Sequence, residues 1–335
     1  MVIDDNFFMD LALKEAWKFQ ILTYPNPAVG CTVVKNETEL LAVEAHQKAG
    51  GPHAEVLALK TAYYKLTSDK NILSTVSSRD IHNYLIANHN GCFKECTLHV
   101  TLEPCAHEGK TPSCANLISS LGVKRVVLCS ADESDKAAGG EKILADSDIQ
   151  VEHSPLHVKG DELLRPFLKW SKERFVFFKW AQRLDGTVDG GVISSCESRE
   201  LVHKMRDLCD LIVVGGETVR ADRPTLDARM INGKAPDVLI VSRGKEFDKS
   251  IPLFHVPKRK VMIEESFERL NDYKCIMIEG GSNMLEFSKN HVDYYLSFVA
   301  AKSGGKMGFS HENKNFQPLH VSRISDDILI WMKLK

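Results

Sequence analysis

One imidazole, two thiols and one carboxylate stand at spacings that suggest metal-assisted hydrolysis. His53-Ala54-Glu55 is followed downstream by Pro104-Cys105 and then by Cys114. Imidazole and thiolate are preferred zinc donors, and a catalytic zinc keeps three protein ligands plus one open position. One histidine and two cysteines meet that count. Zinc lowers the pKa of a bound water from about 15.7 to about 7, which supplies a nucleophile at neutral pH. Removal of an amino group from a ring then needs a proton carrier beside the metal but not on it. Glu55, two residues from His53 at the start of an expected helix, suits that task. Cys105 and Cys114 fall just before or at helix starts, where backbone N–H groups favour the thiolate.

The pattern departs from the common H-x-E, P-C-x-x-C signature of zinc deaminases. Eight residues, Ala-His-Glu-Gly-Lys-Thr-Pro-Ser, separate the two cysteines, and they read as a polar loop able to form part of a pocket. Two other readings of the centre stand beside deamination of a small molecule. A structural zinc module would need a fourth protein ligand. A deaminase of tRNA would need a basic surface, which the formal net charge of −2 does not announce. Cys92 and Cys96 form a competing pair without a matching histidine pattern and are read as surface thiols. Cys31, Cys129, Cys196, Cys209 and Cys275 are read as packing residues.

These side chains need a frame. The chain has 335 residues, 43% of them hydrophobic, enough for about two domains. Asp5 or Asn6 is expected to cap a helix reaching residue 20, with Met9, Ala12, Leu13, Ala16 and Trp17 on its apolar face. Strands are expected at Gly30–Lys35, Thr97–Leu102, Lys124–Cys129 and Ile149–Glu152, with helices at Ala54–Leu66, Ser113–Leu121 and Gly139–Asp146. Residues 67–95, polar and irregular with a short helical stretch near Ile81–Ala87, are read as a surface excursion. Residues 153–160 look like a link. A helix over Asp161–Lys172 follows, in which Pro166 forces a kink or lies near the start. A second series places strands at Phe175–Ala181, Leu211–Val214, Val238–Val241, Cys275–Ile278, Tyr294–Ala300 and Ile328–Leu334, and helices at Glu197–Leu208 and Ser282–Lys289. Such alternation argues for α/β layers.

No apolar run approaches the length of a membrane span. The acidic N-terminus lacks a signal-peptide pattern. Nine cysteines in such a chain point to a reducing cytoplasm. Neither nucleic acid nor membrane is expected as a partner, while a small anionic substrate could be bound by local arginines.

The stretches YPNPAVGCTVVK (24–35), HQKAGGPHAEVLAL (46–59) and VTLEPCAHEGKTPSCANLI (100–118) resemble the deaminase half of the bifunctional riboflavin-biosynthesis enzymes, interrupted by the polar excursion. FVFFKWAQRLDGTV (175–188), LIVVGGETVRADRPTLDAR (211–229) and MIEGGSNML (277–285) resemble their reductase half. The resemblance implies two three-layer α/β domains. The first, residues 1–153, is cytidine-deaminase-like and holds zinc. The second, residues 161–335, is dihydrofolate-reductase-like and uses NADPH.

By the same resemblance Asn26 and His46 touch the pyrimidine or ribose of a phosphorylated diaminopyrimidine, and His107, Lys110 and Thr111 lie along its phosphate. Ala181, Thr218, Asp222 and the turn Gly280, Gly281, Ser282, Asn283, Met284 and Leu285 hold NADPH. Ser242 and Arg243 are guessed to sit at its 2′-phosphate. Arg206, Leu226, Arg229 and Glu279 hold the reductase substrate, both arginines on its 5′-phosphate. Gly190 and Val192 stand where the family usually has serine and tryptophan. A dimer through the reductase domain is the family's habit; a degenerate second half serving as scaffold is the competing view.

Overall fold

The computed structural model describes residues 3–109, 111–131, 139–309 and 313–335, and its backbone divides into two compact units, Met1–Phe167 and Leu168–Lys335. Each contains one sheet.

The first unit opens with α1 (Asp5–Trp17), β1 (Gly30–Lys35), β2 (Glu39–Ala45), α2 (Ala54–Thr67) and α3 (Ser78–Asn88). It continues with β3 (Cys96–Leu102), α4 (Cys114–Leu121), β4 (Arg125–Ser130), α5 (Gly140–Ala145), β5 (Gln150–His153) and α6 (His157–Lys172), which runs on past the division between the units. The five-stranded sheet has the order β2-β1-β3-β4-β5. β1 pairs antiparallel with β2 and β3, and β3, β4 and β5 are parallel.

α1 buries the stripe Met9, Ala12, Leu13, Ala16 and Trp17, as its spacing predicts. Its cap is Asp4, one residue earlier than expected, whose carboxylate accepts from Phe7 N at 3.0 Å. The helix packs against β1 so closely that a Cβ on Gly30 would sit 2.0 Å from the Ala12 carbonyl oxygen. Only glycine allows that approach.

The excursion at 67–95 is corrected by the fold. A 3-10 turn at Lys70–Ser74 and α3 bury Ile72, Ile81 and Leu85, with Phe93 beyond them, in the same core as α2 and α4. Its apolar residues are few but fall on one side, so polarity alone misjudged their burial. Cys96 is likewise fully buried rather than a surface thiol, and Cys92 is half-buried. The reading of residues 153–160 as a link is also shortened, because α6 begins at His157, with Pro166 inside it.

The second unit contains β6 (Phe175–Arg183), α7 (Cys196–Leu208), β7 (Leu211–Gly215), α8 (Gly216–Asp222), β8 (Asp237–Val241) and β9 (Val261–Glu264). β10 (Cys275–Glu279), α9 (Ser282–Ser288), β11 (Tyr294–Ala300), β12 (Phe316–Ile324) and β13 (Asp327–Leu334) complete it. The eight-stranded sheet runs β12-β13-β11-β6-β10-β7-β8-β9. β11 through β9 are parallel, while β12 and β13 form an antiparallel edge.

β2, β9, β12 and α8 had no clear signal. β9 is a short strand with a half-buried pattern, and β12 is largely exposed, so neither shows a clean apolar period. Cys196, read as a packing residue, is exposed at the start of α7; the other four so read are buried. No helix among the described residues is long and apolar enough to cross a membrane.

Candidate metal centre and cofactor cleft

His53 precedes α2 as its cap residue, and Glu55 is in the first turn of that helix. β3 runs into the loop that carries Cys105, and Cys114 is the first residue of α4. Ser113 joins the last two. Its hydroxyl donates to Cys105 O at 2.9 Å and accepts from Asn116 N, capping α4. Cys114 N then donates to Cys105 Sγ at 3.4 Å.

His53 Nδ1 lies 3.7 Å from Cys105 Sγ and 3.4 Å from Cys114 Sγ. The ligand atoms of all three residues fall within 4.8 Å of one another, the one such His/Cys cluster among the described residues. Tetrahedral zinc with bonds of about 2.0 and 2.3 Å separates nitrogen from sulfur by about 3.5 Å. The donor set and its spacing therefore fit the ion, and with three ligands it keeps an open position for the water it activates.

The electrostatics agree. Hydrogen bonding from Cys114 and His53 brings Cys105 down to about 4 against burial, while the same pairing and burial push the Cys114 thiol up, so without an ion the two sulfurs share one proton. Glu55 is 3% exposed, and burial raises its carboxyl above the ordinary range. A carboxyl so poised takes up and gives back a proton more readily near neutral pH.

His46 lies edge-on against His53, ring centres 5.4 Å apart. Its Nδ1 hydrogen-bonds the Pro52 carbonyl at 2.9 Å, so Nε2 is the acceptor for the Asn26 amide at 3.2 Å. Asn26, in the turn after the cis Tyr24–Pro25 bond, is thus brought beside His46. Thr111 also reaches the centre, but its hydroxyl meets His53 Nε2 at 3.3 Å rather than standing free for a phosphate. His107 is exposed on the same loop, and Lys110 lies outside the described residues. Ser113 went unassigned, although a serine before an apolar helical run is a cap signal.

In the second unit the expected residues collect at the carboxyl ends of neighbouring parallel strands, where open α/β sheets bind ligands. Ala181 is on β6, Gly280–Leu285 follows β10, Thr218 and Asp222 are on α8 after β7, and Ser242 and Arg243 follow β8. Met284 and Leu285 turn into the core, 8% and 0% exposed, and Leu285 N donates to Gly281 O, which leaves Gly280–Asn283 as the accessible part of the turn. Ser242 accepts from Arg220, whose guanidinium also holds the Gly244 carbonyl at 2.9 Å and covers the Phe247 ring. Polar side chains and a glycine turn at one sheet end suit a dinucleotide.

Arg206 and Glu279 hold each other through two hydrogen bonds of 2.9 and 3.0 Å. Lys179, opposite Glu279 in the β6–β10 register, is 3.5 Å from the same carboxylate. The sequence reading passed over Lys179, although a lysine inside the apolar run Phe175–Trp180 is an unusual strand residue. The two cations outweigh burial and keep Glu279 below the usual carboxylate range. Arg229 pairs with Asp227 at 2.7 Å and is exposed, and Leu226 is buried with a φ of 54°. Gly190 has a positive φ, its carbonyl accepts from Arg183, and Val192 is exposed.

A His/Cys/Cys centre with a buried carboxylate defines a zinc-dependent deaminase, and a mostly parallel α/β unit with polar residues at its strand ends follows it in the chain. Residues 2–130 match the cytidine and deoxycytidylate deaminase zinc-binding region, and residues 174–330 match the RibD C-terminal domain. The chain is 36% identical to the riboflavin biosynthesis protein RibD of Aquifex aeolicus, over 99% of this chain and 98% of that one. The chain belongs to the RibD family of riboflavin biosynthesis proteins. Its structure is similar to a diaminohydroxyphosphoribosylaminopyrimidine deaminase/5-amino-6-(5-phosphoribosylamino)uracil reductase of Thermotoga maritima, with TM-score 0.64, 26% identity and 99% of each chain covered. It is also similar to RibD of Acinetobacter baumannii, with TM-score 0.62, 25% identity and the same coverage. The enzyme is bifunctional, with zinc as the deaminase cofactor and NADPH as the reductant.

Proposed function

We propose that this chain converts 2,5-diamino-6-ribosylamino-4(3H)-pyrimidinone 5′-phosphate into 5-amino-6-(5-phosphoribosylamino)uracil and then reduces the ribose of that product to ribityl with NADPH. The observation that carries the first step is the three-donor centre with Glu55 buried beside it. His53, Cys105 and Cys114 hold the metal. Glu55 takes a proton from the attacking water and returns it to the leaving 2-amino nitrogen, which departs as ammonia. Asn26 and His46 read the polar ring by donor and acceptor pattern. His107, Lys110 and Thr111 belong to the loop beside the phosphate.

In the second step Ala181, Thr218, Asp222 and Gly280–Leu285 orient the nicotinamide cofactor. Arg206, Leu226, Arg229 and Glu279 line the substrate side, the exposed Arg229 being the one placed to reach the phosphate while Arg206 is braced by Glu279. Hydride transfer depends mostly on placing donor and acceptor carbons. Residues 1–153 serve deamination and residues 161–335 serve reduction, in a cytoplasmic dimer formed through the reductase half.

The test is turnover. Ammonia release from the phosphorylated diaminopyrimidine is expected, with consumption of NADPH following it. Turnover of cytidine, deoxycytidylate or tRNA in preference to that substrate overturns the assignment, and a C-terminal half that neither binds NADPH nor turns over reduces the second unit to a scaffold.

A further inference from the structure

In the second unit the parallel strands run side by side in the order β6-β10-β7-β8. Lys179 on β6 and Glu279 on β10 mark one end of this row. The carboxyl end of β8 is three strand spacings from β6, about 14 Å, a distance that an extended dinucleotide covers. There the guanidinium of Arg220 is held in one place. Its Nη2 donates to the carbonyls of Gly244 at 2.9 Å and Glu246 at 3.2 Å. Its central carbon lies over the buried Phe247 ring, 4.1 Å from the centroid. Two glycines make room for it. A Cβ on Gly216 would lie 2.9 Å from Nη1, and one on Gly244 would lie 3.0 Å from Nη2. A guanidinium so held loses little further freedom when it takes a ligand.

The positive charge at this strand end is unmatched. Among the described residues no carboxylate pairs with Arg220, nor with the exposed Arg243 and Lys245 of the same turn. Glu246, the one acid of residues 242–247, offers Arg220 its carbonyl and not its carboxylate. Arg220 Nε has no acceptor among the described residues, so one N–H edge of the fork is open. A phosphate monoester carries a charge of about −1.5 to −2 at neutral pH and takes paired hydrogen bonds from such an edge. NADPH differs from NADH by one such group, on the adenosine ribose remote from the nicotinamide.

We propose that Arg220, with Arg243 beside it, binds the 2′-phosphate and makes the reductase half select NADPH over NADH. The proposal deepens the reading of this cleft as the cofactor site and rests on it. Arg220 is remote from the Lys179–Glu279 end, so its effect is on which nucleotide binds and not on the reduction of the bound sugar.

The experiment titrates the full chain calorimetrically with 2′,5′-ADP and with 5′-ADP, which differ in where the second phosphate sits, and compares kcat/KM for NADPH and NADH. The wild-type chain is expected to prefer 2′,5′-ADP and NADPH. Arg220→Gln is expected to weaken 2′,5′-ADP about 10- to 100-fold, as for loss of a hydrogen bond to a charged group, with 5′-ADP within about twofold. The preference for NADPH over NADH is expected to fall by the same factor. Arg220→Lys keeps the charge without the planar fork and is expected to lie between the two; it carries the comparison if glutamine prevents folding. Equal weakening of both ligands reduces Arg220 to a brace for the 242–247 turn and overturns the proposal, as does an unchanged affinity for 2′,5′-ADP. A wild-type chain that binds both ligands alike overturns the proposal and leaves the cofactor cleft standing, whereas one that binds neither of them nor NADPH overturns the cleft and the proposal together.

Discussion

Thr111 Oγ1 and His53 Nε2 are 3.3 Å apart, on the edge of the ring opposite the nitrogen that faces the two thiols. The hydroxyl thereby fixes which nitrogen is left for the metal. Outer partners of this kind are worth about 10–100-fold in metal affinity. Thr111→Val is expected to weaken zinc binding by about that factor, measured by competition with a chelator, and Thr111→Ser to restore it. If Thr111 serves only the substrate phosphate, Val will raise KM and leave zinc affinity alone.

Glu55→Gln keeps size and burial but cannot carry the proton. Zinc content is expected to stay stoichiometric while ammonia release falls by about 10²–10⁴-fold. Full activity in that variant contradicts the role given to Glu55.

Gly140 opens α5 against the strand end that bears Cys105. A Cβ there would lie 1.8 Å from the Pro104 carbonyl oxygen. Gly140→Ala must displace Pro104 and with it Cys105, at a cost of about 1–3 kcal/mol. Urea denaturation and zinc content are expected to fall together; an unaltered zinc content shows that the loop yields elsewhere.

Arg206 and Glu279 form a mostly buried pair, 13% and 12% exposed at the side chain. Arg206→Met leaves the carboxylate with Lys179 alone and is expected to destabilise the chain by about 3–5 kcal/mol. Arg206→Met with Glu279→Leu is expected to cost less than the sum of the two single changes. A double-mutant cycle on denaturation midpoints measures the coupling, and simple additivity rules it out.

His99, on β3, ties α1 to the sheet. Its Nδ1 faces Thr32 and its Nε2 lies 2.8 Å from Asp5, which Arg125 also grips; the Phe8 ring packs beside it. Burial lowers its pKa below 6.5, and Asp5 only partly restores it. The unfolded chain therefore binds a proton first as pH falls. His99 contributes stability that is complete above 6.5 and is lost as pH drops toward the lower folded value. Melting temperatures of metal-free protein are expected to decline across that window, and His99→Gln to flatten the decline. An unchanged slope in the variant assigns the pH dependence to other groups.

Much of the site was legible because its chemistry is local in sequence. His53 and Glu55 are two residues apart, so one helix start presents both. Cys105 and Cys114 each sit at a strand end or helix start that apolar period and turn residues announce. The parallel strands of the second unit were equally plain, being continuous apolar runs of β-branched and aromatic residues. Edge strands β9 and β12 were not, since β9 is half-buried throughout and β12 has one buried residue, so no period survives.

Sequence alone determined the donor types, their order and the alternation of strand and helix, because these follow from side-chain chemistry and backbone period. Tertiary structure decided what depends on contact across the chain. It turned the polar segment 67–95 inward, gave Thr111 to His53, and closed Arg206 and Lys179 on Glu279. Residues 58 to 100 positions apart meet only when packing brings their elements together, and no local pattern records which partner will claim a hydroxyl or a charge.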